Sequence, residues 1–213
     1  MRRISTKRQL LALIDEGEHQ QQDFKYRLSD ACKIAKSISA FANTDGGRLL
    51  IGVRDDRVVS GVRSEEEIFM VHDAAERFCK PLPDIDYETL VVEGKTVVVA
   101  TIGRAARRPV YAISEAGKPI AYVRVADENI VATAVHLEIW RQEALTRGTI
   151  TRYADDEARL MEVMSTMPDA RIGDIVRLSK LSRRKVVGRL ARFVRFGLAE
   201  MTYDGHDFRF ALV

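Results

Sequence analysis

The sequence is poor in cysteine, with two among 213 residues, and it has few prolines and one tryptophan. So few cysteines are atypical of small secreted scaffolds stapled by disulfides. Cys32 and Cys79 both lie in apolar helical patterns, which favours buried, reduced thiols, although a bridge between them is the alternative. No apolar run reaches the roughly 18 residues of a membrane-spanning helix. Basic residues begin the chain without an apolar segment behind them, so no signal peptide is expected and we predict a cytoplasmic protein.

Acidic residues are missing from one stretch near the end of the chain. Between Asp174 and Glu200 there are eight basic side chains and no acidic one. The net charge of the whole chain is only +3, and the first 149 residues are balanced. Because the positive excess is local, it indicates a negatively charged partner such as duplex DNA.

Apolar periodicity and turn residues divide residues 1–148 into mixed helices and strands. Helices are predicted over 7–16, 29–43, 64–79 and 131–147, and strands over 18–26, 48–53, 58–62, 85–92, 96–102 and 120–125. The helix 131–147 is expected to connect this domain to the next, with Ile139 and Trp140 at the junction. The pattern predicts an α+β fold.

Residues 149–213 are predicted to form a second, smaller domain. Helices are expected over 155–167, 172–178 and 182–196, followed by strands over 198–203 and 208–212 around the Asp204-Gly205-His206-Asp207 turn. Three helices and a hairpin in this order are typical of a winged helix-turn-helix.

The helix 182–196 is the predicted recognition helix. Val186, Leu190 and Phe193 form one apolar stripe, and basic side chains occupy the opposite face and its flanks. Such a helix fits the major groove of DNA, where arginine pairs with guanine. Ser182 is expected to cap the helix and to face phosphates, and the hairpin is expected to touch the flanking backbone through Arg209 or His206. The predicted DNA-binding residues are Ser182, Arg183, Arg184, Lys185, Arg189, Arg192, Arg195 and Arg209. A protein-docking module or a solvated face is the alternative.

A distinctive motif lies in the first domain. Asp23-Phe24-Lys25 is followed by Ala40-Phe41-Ala42-Asn43-Thr44-Asp45-Gly46-Gly47 and then by Ile51-Gly52-Val53. This pattern resembles the Schlafen/Alba-2-like DNA-binding domain family over roughly residues 18–140, and Tyr122-Val123-Arg124-Val125 with Asn129 resembles its closing strand. The resemblance implies an Alba-like mixed α/β domain in a transcriptional regulator. It further implies a platform for dimerisation or auxiliary nucleic-acid binding.

Two interpretations of the glycine-rich turn stay open. Gly46 and Gly47 permit a positive φ and a close backbone approach, and Asn43 can cap the helix, so the turn can be purely structural. Alternatively, Asn43, Gly46 and Gly47 form part of a phosphate or nucleotide contact.

The same resemblance implies an alternative function. Some Schlafen-type domains are RNases that hold a metal ion with three carboxylates, and Glu18, Asp23 and either Asp55 or Asp56 match their spacing. These side chains would bind Mg²⁺ or Mn²⁺ for the cleavage of RNA or tRNA. Asp23 is shorter than the usual Glu, and a straight strand would place Glu18 and Asp23 on opposite faces.

No other catalytic or metal-binding motif stands out in the sequence. The run Gly94-Lys95-Thr96 lacks the glycine of a phosphate-binding loop, and the four histidines are scattered without metal-ligand spacing. We therefore predict a homodimeric DNA-binding regulator that is not an enzyme and needs no cofactor. A third possibility is that the first domain receives an unknown effector.

Overall fold

The protein is described here as a computed structural model, which covers residues 5–28, 30–62, 66–145 and 155–213. The chain divides into two compact units, Met1–Ala132 and Thr133–Val213. Within the described residues, no helix combines the length and the apolar character needed to cross a membrane. Helices and sheets are mixed in both units, so the predicted α+β class is confirmed.

The first unit contains three helices and eight strands among its described residues. The helices are α1 (Lys7–Glu16), α2 (Ala31–Asn43) and α3 (Glu66–Phe78). The strands are β1 (Gln22–Lys25), β2 (Gly47–Ile51), β3 (Cys79–Lys80), β4 (Ile85–Val92), β5 (Lys95–Ile102), β6 (Tyr111–Ile113), β7 (Pro119–Val125) and β8 (Glu128–Val131).

These strands form two four-stranded sheets around helix α2. The first sheet has the order β1-β2-β5-β4, in which β1 and β2 are parallel and the other pairs antiparallel. The second has the order β3-β6-β7-β8 and is antiparallel. Alternate residues of β2 face opposite ways: Leu49 and Ile51 join the core with α2 and α3, whereas Leu50 packs in the cluster with α1. Helix α2 is therefore central, which explains why nine of its residues are buried.

Several predicted elements of the first unit need correction. The predicted strand 58–62 is reduced to a single bridge between Val53 and Val59. Of the predicted strand 18–26, only the residues of β1 form a strand, because a tight turn between His19 and Gln22 precedes β1. Strands β3, β6 and β8 were not predicted, since they are short and lack clear alternation. Asp30 caps α2, and residues 64 and 65 of the predicted helix 64–79 lie outside the described residues.

The second unit contains four helices and three strands among its described residues. They are α4 (Ala134–Glu143), α5 (Asp155–Thr166), β9 (Ala170–Arg171), α6 (Ile172–Ser179), α7 (Arg183–Arg195), β10 (Ala199–Tyr203) and β11 (Phe208–Leu212). The strands form an antiparallel sheet in the order β10-β11-β9. The helices enclose a core that includes Leu160, Ile175, Val186 and Leu190.

Helix α4 differs from its prediction in length and in the unit to which it belongs. Val131 lies in strand β8, paired with Tyr122, and Thr133 caps the helix through a hydrogen bond from the His136 amide. Val135 is fully buried in the core of the second unit, so α4 is part of that unit. The boundary between the two units therefore lies before this helix, whereas the sequence pattern predicts a domain boundary after residue 148. Residues 146 and 147, the last two of the predicted helix 131–147, lie outside the described ranges.

Candidate functional site

The exposed first turn of helix α7 is the candidate nucleic-acid interface. Helix α6 ends at Lys180, whose φ of 56° lies in the left-handed region and turns the chain sharply. The Ser182 side chain then accepts a hydrogen bond from the Lys185 amide at 3.4 Å, as the capping pattern predicts. Residues 182–185 are all exposed, so this turn is open to a partner.

Arginines 183 and 184 present their charge at this turn. Among the residues that the structure describes, neither forms an ion pair within 4.0 Å. Exposed Lys180 lies at the start of the same turn. Lys185 is paired with Asp156 of α5 at 3.0 Å, although its side chain is still 56% exposed. The turn therefore concentrates cations beside the positive end of the α7 dipole, which favours an anion.

Two predicted DNA contacts are paired with an acid of the second unit. Arg189 and Arg192 donate to the same carboxylate oxygen of Glu157, at 3.1 Å and 2.8 Å. Glu157 lies in the first turn of α5 and is only 2% exposed. A buried carboxylate requires charged or hydrogen-bonding partners, and these two arginines supply them. Their side chains remain 26% and 21% exposed, and their contact with DNA stays a prediction, but the sequence pattern did not place the acid of α5 beside them.

Helix α4 covers the face of α7 that was predicted to be open. The Gln142 side-chain amide donates to the Gly188 backbone carbonyl at 3.0 Å, and Arg195 donates to the side-chain oxygen Oε1 of Gln142 at 3.3 Å. Ala191, on the same side of α7, is fully buried. The apolar and small residues Val187, Gly188 and Ala191 form a second contact stripe, which was a signal available in the sequence. Arg195 thus remains exposed but has a partner within the unit.

Arg209, the predicted DNA-contact residue of the hairpin between β10 and β11, also has a partner within the hairpin. Arg209 forms an ion pair with Asp204 at 2.6 Å, and its side chain is 21% exposed. The backbone amides of Asp207 and His206, together with Arg209, hold the pKa of Asp204 well below its usual range. His206 is exposed at the tip of the hairpin. The hairpin therefore offers a rigid turn, and Arg209 must exchange its partner before it binds a phosphate.

In the first unit, Asn43 is a buried structural hub. Its side-chain amide donates to the carbonyls of Val110 and Tyr122, both at 2.9 Å, and its carbonyl accepts from the Val110 amide at 2.7 Å. The residue is 2% exposed. Asn43 therefore joins α2 to the second sheet. It does not cap α2 either, because the carbonyls that it binds belong to other segments.

The two glycines of the motif are explained by close packing. A Cβ on Gly47 would lie 2.1 Å from the Phe41 ring, and one on Gly46 would lie 2.8 Å from the Ile102 carbonyl. Gly46 also has a φ of +72°, which side chains rarely adopt. Close packing therefore accounts for both glycines, and the phosphate contact of Asn43, Gly46 and Gly47 stays a prediction.

The structure brings Glu18 and Asp23 together. The turn at His19 folds Glu18 back so that its carboxylate accepts from the Phe24 amide at 2.7 Å. Burial and the hydrogen bond with Asp23 raise the pKa of Glu18. Burial also tends to raise the pKa of Asp23, but Lys25, the hydrogen bond with Glu18 and the Arg124 charge together outweigh it, and the pKa is lowered. A straight strand would place Glu18 and Asp23 on opposite faces, so the bend at His19 is what allows the two carboxylates to meet.

These carboxylates do not fit the three-carboxylate metal site that the alternative function requires. Asp23 is 5% exposed and is bound by Lys25 at 2.6 Å and by Arg124 at 3.4 Å. Asp55 and Asp56 lie in an exposed turn, where Asp56 pairs with Arg54 at 3.0 Å. Among the described side chains, the group of three potential metal ligands that lie within 4.8 Å of one another is Asp30, Cys32 and Glu115, which includes none of the predicted carboxylates. Lys25 and Arg124 thus already pair with the Asp23 carboxylate.

Arg124 was noted in the sequence only as part of the closing strand, but it organises this buried cluster. It is 2% exposed and donates to Asn129 at 3.0 Å and to the Gln22 carbonyl at 3.2 Å. Ser37 of α2 links Asp23 and Asn129 through hydrogen bonds of 3.3 Å and 3.0 Å. The cluster therefore ties β1, α2 and β7 together.

Comparisons with known proteins agree with the motif of the first unit. Residues 18–133, more than half of the chain, match the family model described as Schlafen, AlbA_2. The DIP2311 protein from Corynebacterium diphtheriae is 16% identical with a TM-score of 0.46, over 89% of this chain and 34% of that one. The chain thus spans about a third of that protein's length. The N-terminal domain of a RecG-related protein from Nitrosomonas europaea is 16% identical with a TM-score of 0.40, over 71% of this chain and 98% of that one. On the family match, the chain belongs to the Schlafen AlbA_2 family.

Proposed function

We propose that this protein binds duplex DNA through its second unit and acts as a transcriptional regulator. From α5 onward the unit runs helix, strand, helix, helix, hairpin, with the hairpin and the short strand in one sheet. This order supports the interpretation as a winged helix-turn-helix, with α6 and α7 as its two turn-linked helices. In such units the N-terminal residues of the second helix contact base edges.

One observation carries the proposal, and it is the exposed cationic first turn of α7. Arg183 and Arg184 lie there without an ion pair within 4.0 Å among the described residues, next to Ser182 and Lys180. Arginine binds guanine through two parallel hydrogen bonds in the major groove. Arg189 and Arg192, which bind Glu157, have no role in this proposal.

We propose a homodimer as the binding form, with the first unit as its platform. A two-fold dimer places two recognition helices about 34–36 Å apart, which matches a palindromic site. The resemblance of the first unit to a nucleic-acid-binding family supports this arrangement. Sedimentation analysis of the full chain with and without a selected DNA fragment tests the dimer.

The main test is a binding titration with the full chain. Genomic fragments are selected with the wild-type protein, and fluorescence anisotropy then measures its dissociation constant for a selected duplex. We expect Arg183→Ala and Arg184→Ala each to weaken binding by about 1–3 kcal/mol if they contact bases, with the loss largest for the selected sequence. If they contact only phosphates, the loss is uniform across sequences and the salt dependence falls by about 1 per residue.

A matched control separates a specific surface from general charge. Arg104 and Arg107 are exposed arginines of the first unit, and their double alanine variant removes the same charge as the 183/184 double variant. We expect the control to bind DNA nearly as the wild type does. Equal binding by the wild type and the 183/184 double variant would refute the assignment.

We propose that binding proceeds without cleavage of a phosphodiester. Support comes from Asp23, whose carboxylate is bound by Lys25 and Arg124. Incubation of the pure protein with RNA and Mn²⁺, with Glu18→Ala as the control, tests this. Cleavage by the wild type that the variant lacks would favour the RNase alternative instead.

A further inference from the structure

Helix α4 lies against the outward face of the proposed recognition helix. Gln142 reaches the Gly188 carbonyl at 3.0 Å, and Arg195 reaches Gln142 at 3.3 Å. Val135 and Ile139 of α4 pack with the core to which α7 contributes Val186 and Leu190. The contact therefore combines polar bonds with apolar burial along the length of α4.

The covered face is the one that a groove-binding helix needs. Gly188 and Arg195 lie opposite the buried stripe of Val186, Leu190 and Phe193, at the helical spacing of the sequence. The major groove is about 12 Å wide, and one helix with its side chains is about 10–12 Å across. One helix fits the groove, but two packed helices do not. With α4 in place, the middle of this face is covered, whereas the first turn of α7 stays exposed.

The contact also places an acid beside a basic side chain of the proposed interface. Glu138 of α4 is close enough to the Arg184 guanidinium that this charge lowers its pKa, in addition to the stronger effect of its hydrogen bonds with Arg141. A Cβ on Gly188 would lie 3.9 Å from a carboxylate oxygen of Glu138. Such a Cβ would make an ordinary van der Waals contact, so α4 lies directly beside α7 at this position and offers the Glu138 carboxylate to Arg184 of the proposed interface.

We infer that α4 is an autoinhibitory element that must leave the outward face of α7 before the middle of that helix can enter a DNA groove. This inference rests on the proposed DNA binding. In the closed state DNA meets only the exposed first turn, and in the open state Gly188 and Arg195 join the interface. Release of α4 therefore strengthens DNA binding.

Amide hydrogen exchange of the wild-type full chain tests the inference without a substitution. Helix α4 is followed with and without a saturating selected duplex. We expect the amides of residues 134–143 to exchange at least tenfold faster in the complex, while those of α5 do not speed up. Unchanged or slower exchange in α4 would overturn the inference and would make this helix a permanent part of the DNA-binding unit.

A pair of variants provides the second test. Ile139→Ala combined with Gln142→Ala weakens the contact with α7 and leaves every basic side chain in place. We expect this variant to bind the selected duplex about tenfold more tightly than the wild type. Leu137→Ala is the control, because it truncates an aliphatic side chain on the more exposed side of the same helix, and we expect a change of less than twofold.

The outcomes distinguish failure of the inference from failure of the proposed function. If wild type and variant bind the duplex equally and both depend on Arg183 and Arg184, α4 is not inhibitory although the protein binds DNA. If neither binds DNA at low salt, the proposed function itself is wrong. A double variant that unfolds leaves the exchange experiment on the wild type to decide.

Discussion

Substitution of Asn43 by alanine distinguishes a structural motif from a ligand-binding one. Its side chain makes three hydrogen bonds of 2.7 to 2.9 Å to the backbone of Val110 and Tyr122. Alanine leaves the Val110 amide unpaired in the interior, which costs about 1–3 kcal/mol. The Tyr122 carbonyl also loses a donor, whereas the Val110 carbonyl keeps Ser39 at 2.7 Å. The free energy of unfolding of the first unit should fall by about 3 kcal/mol.

Urea unfolding of the full chain measures this loss. Circular dichroism follows both units, while Trp140, the single tryptophan of the sequence, reports on the second unit. With an m-value of about 2 kcal/mol per molar urea, the midpoint of the first unit should fall by about 1.5 M. The Trp140 transition should stay in place.

Asn129→Ala is the matched control for this prediction. Asn129 lies in the same unit, but its partners Ser37 and Arg124 are side chains that keep other hydrogen bonds. We expect a loss of about 1 kcal/mol. If Asn43→Ala were as stable as this control while its DNA affinity fell, the motif would be a binding site and the structural argument would be wrong.

Two further predictions concern the second unit, with the transition followed by Trp140 fluorescence. Glu157→Gln removes the buried charge that Arg189 and Arg192 bind, so it should cost about 2–4 kcal/mol, whereas exposed Glu162→Gln should change stability little. Equal stability of the two variants would mean that the buried pairing contributes nothing. Burial lowers the pKa of His136 from 6.5 to about 4, so the folded state holds the neutral imidazole. The free energy of unfolding is therefore unaffected by His136 protonation above pH 6.5 and falls as the pH decreases towards 4. The loss should reach about 3 kcal/mol and disappear in His136→Gln; the same pH dependence in both proteins would exclude His136 as its source.

Local signals in the sequence were sufficient for most helices and for the main hairpin. Gly17 ends α1, Ser182 caps α7, and Glu93 with Gly94 joins β4 and β5, because caps and tight turns depend on neighbouring residues alone. The short strands β3, β6 and β8 escaped prediction, since their pairing partners lie far away in the chain. Pairing of this kind is fixed by the fold and leaves little periodicity in the sequence.

The candidate site likewise combines features that depend on neighbouring residues with pairings between distant segments. Charge counting located the cationic stretch correctly, but it could not tell which of its side chains are free. Arg189 and Arg192 bind an acid that lies more than thirty residues earlier, and Gly188 lies beneath a helix that precedes the cationic stretch. Sequence spacing also matched Glu18 with Asp23, although the bend that joins them depends on the turn at His19.

The sequence by itself determined where most helices lie, which residues form the family motif, and where positive charge is concentrated. These properties depend on side-chain chemistry and on spacing along the chain. Only the tertiary structure decided that Asn43 is a packing hub, that Glu157 neutralises two arginines, and that α4 covers the face of α7 opposite its buried stripe. Burial and pairing are relations between distant segments, and their free energies arise only after the chain has brought those segments together.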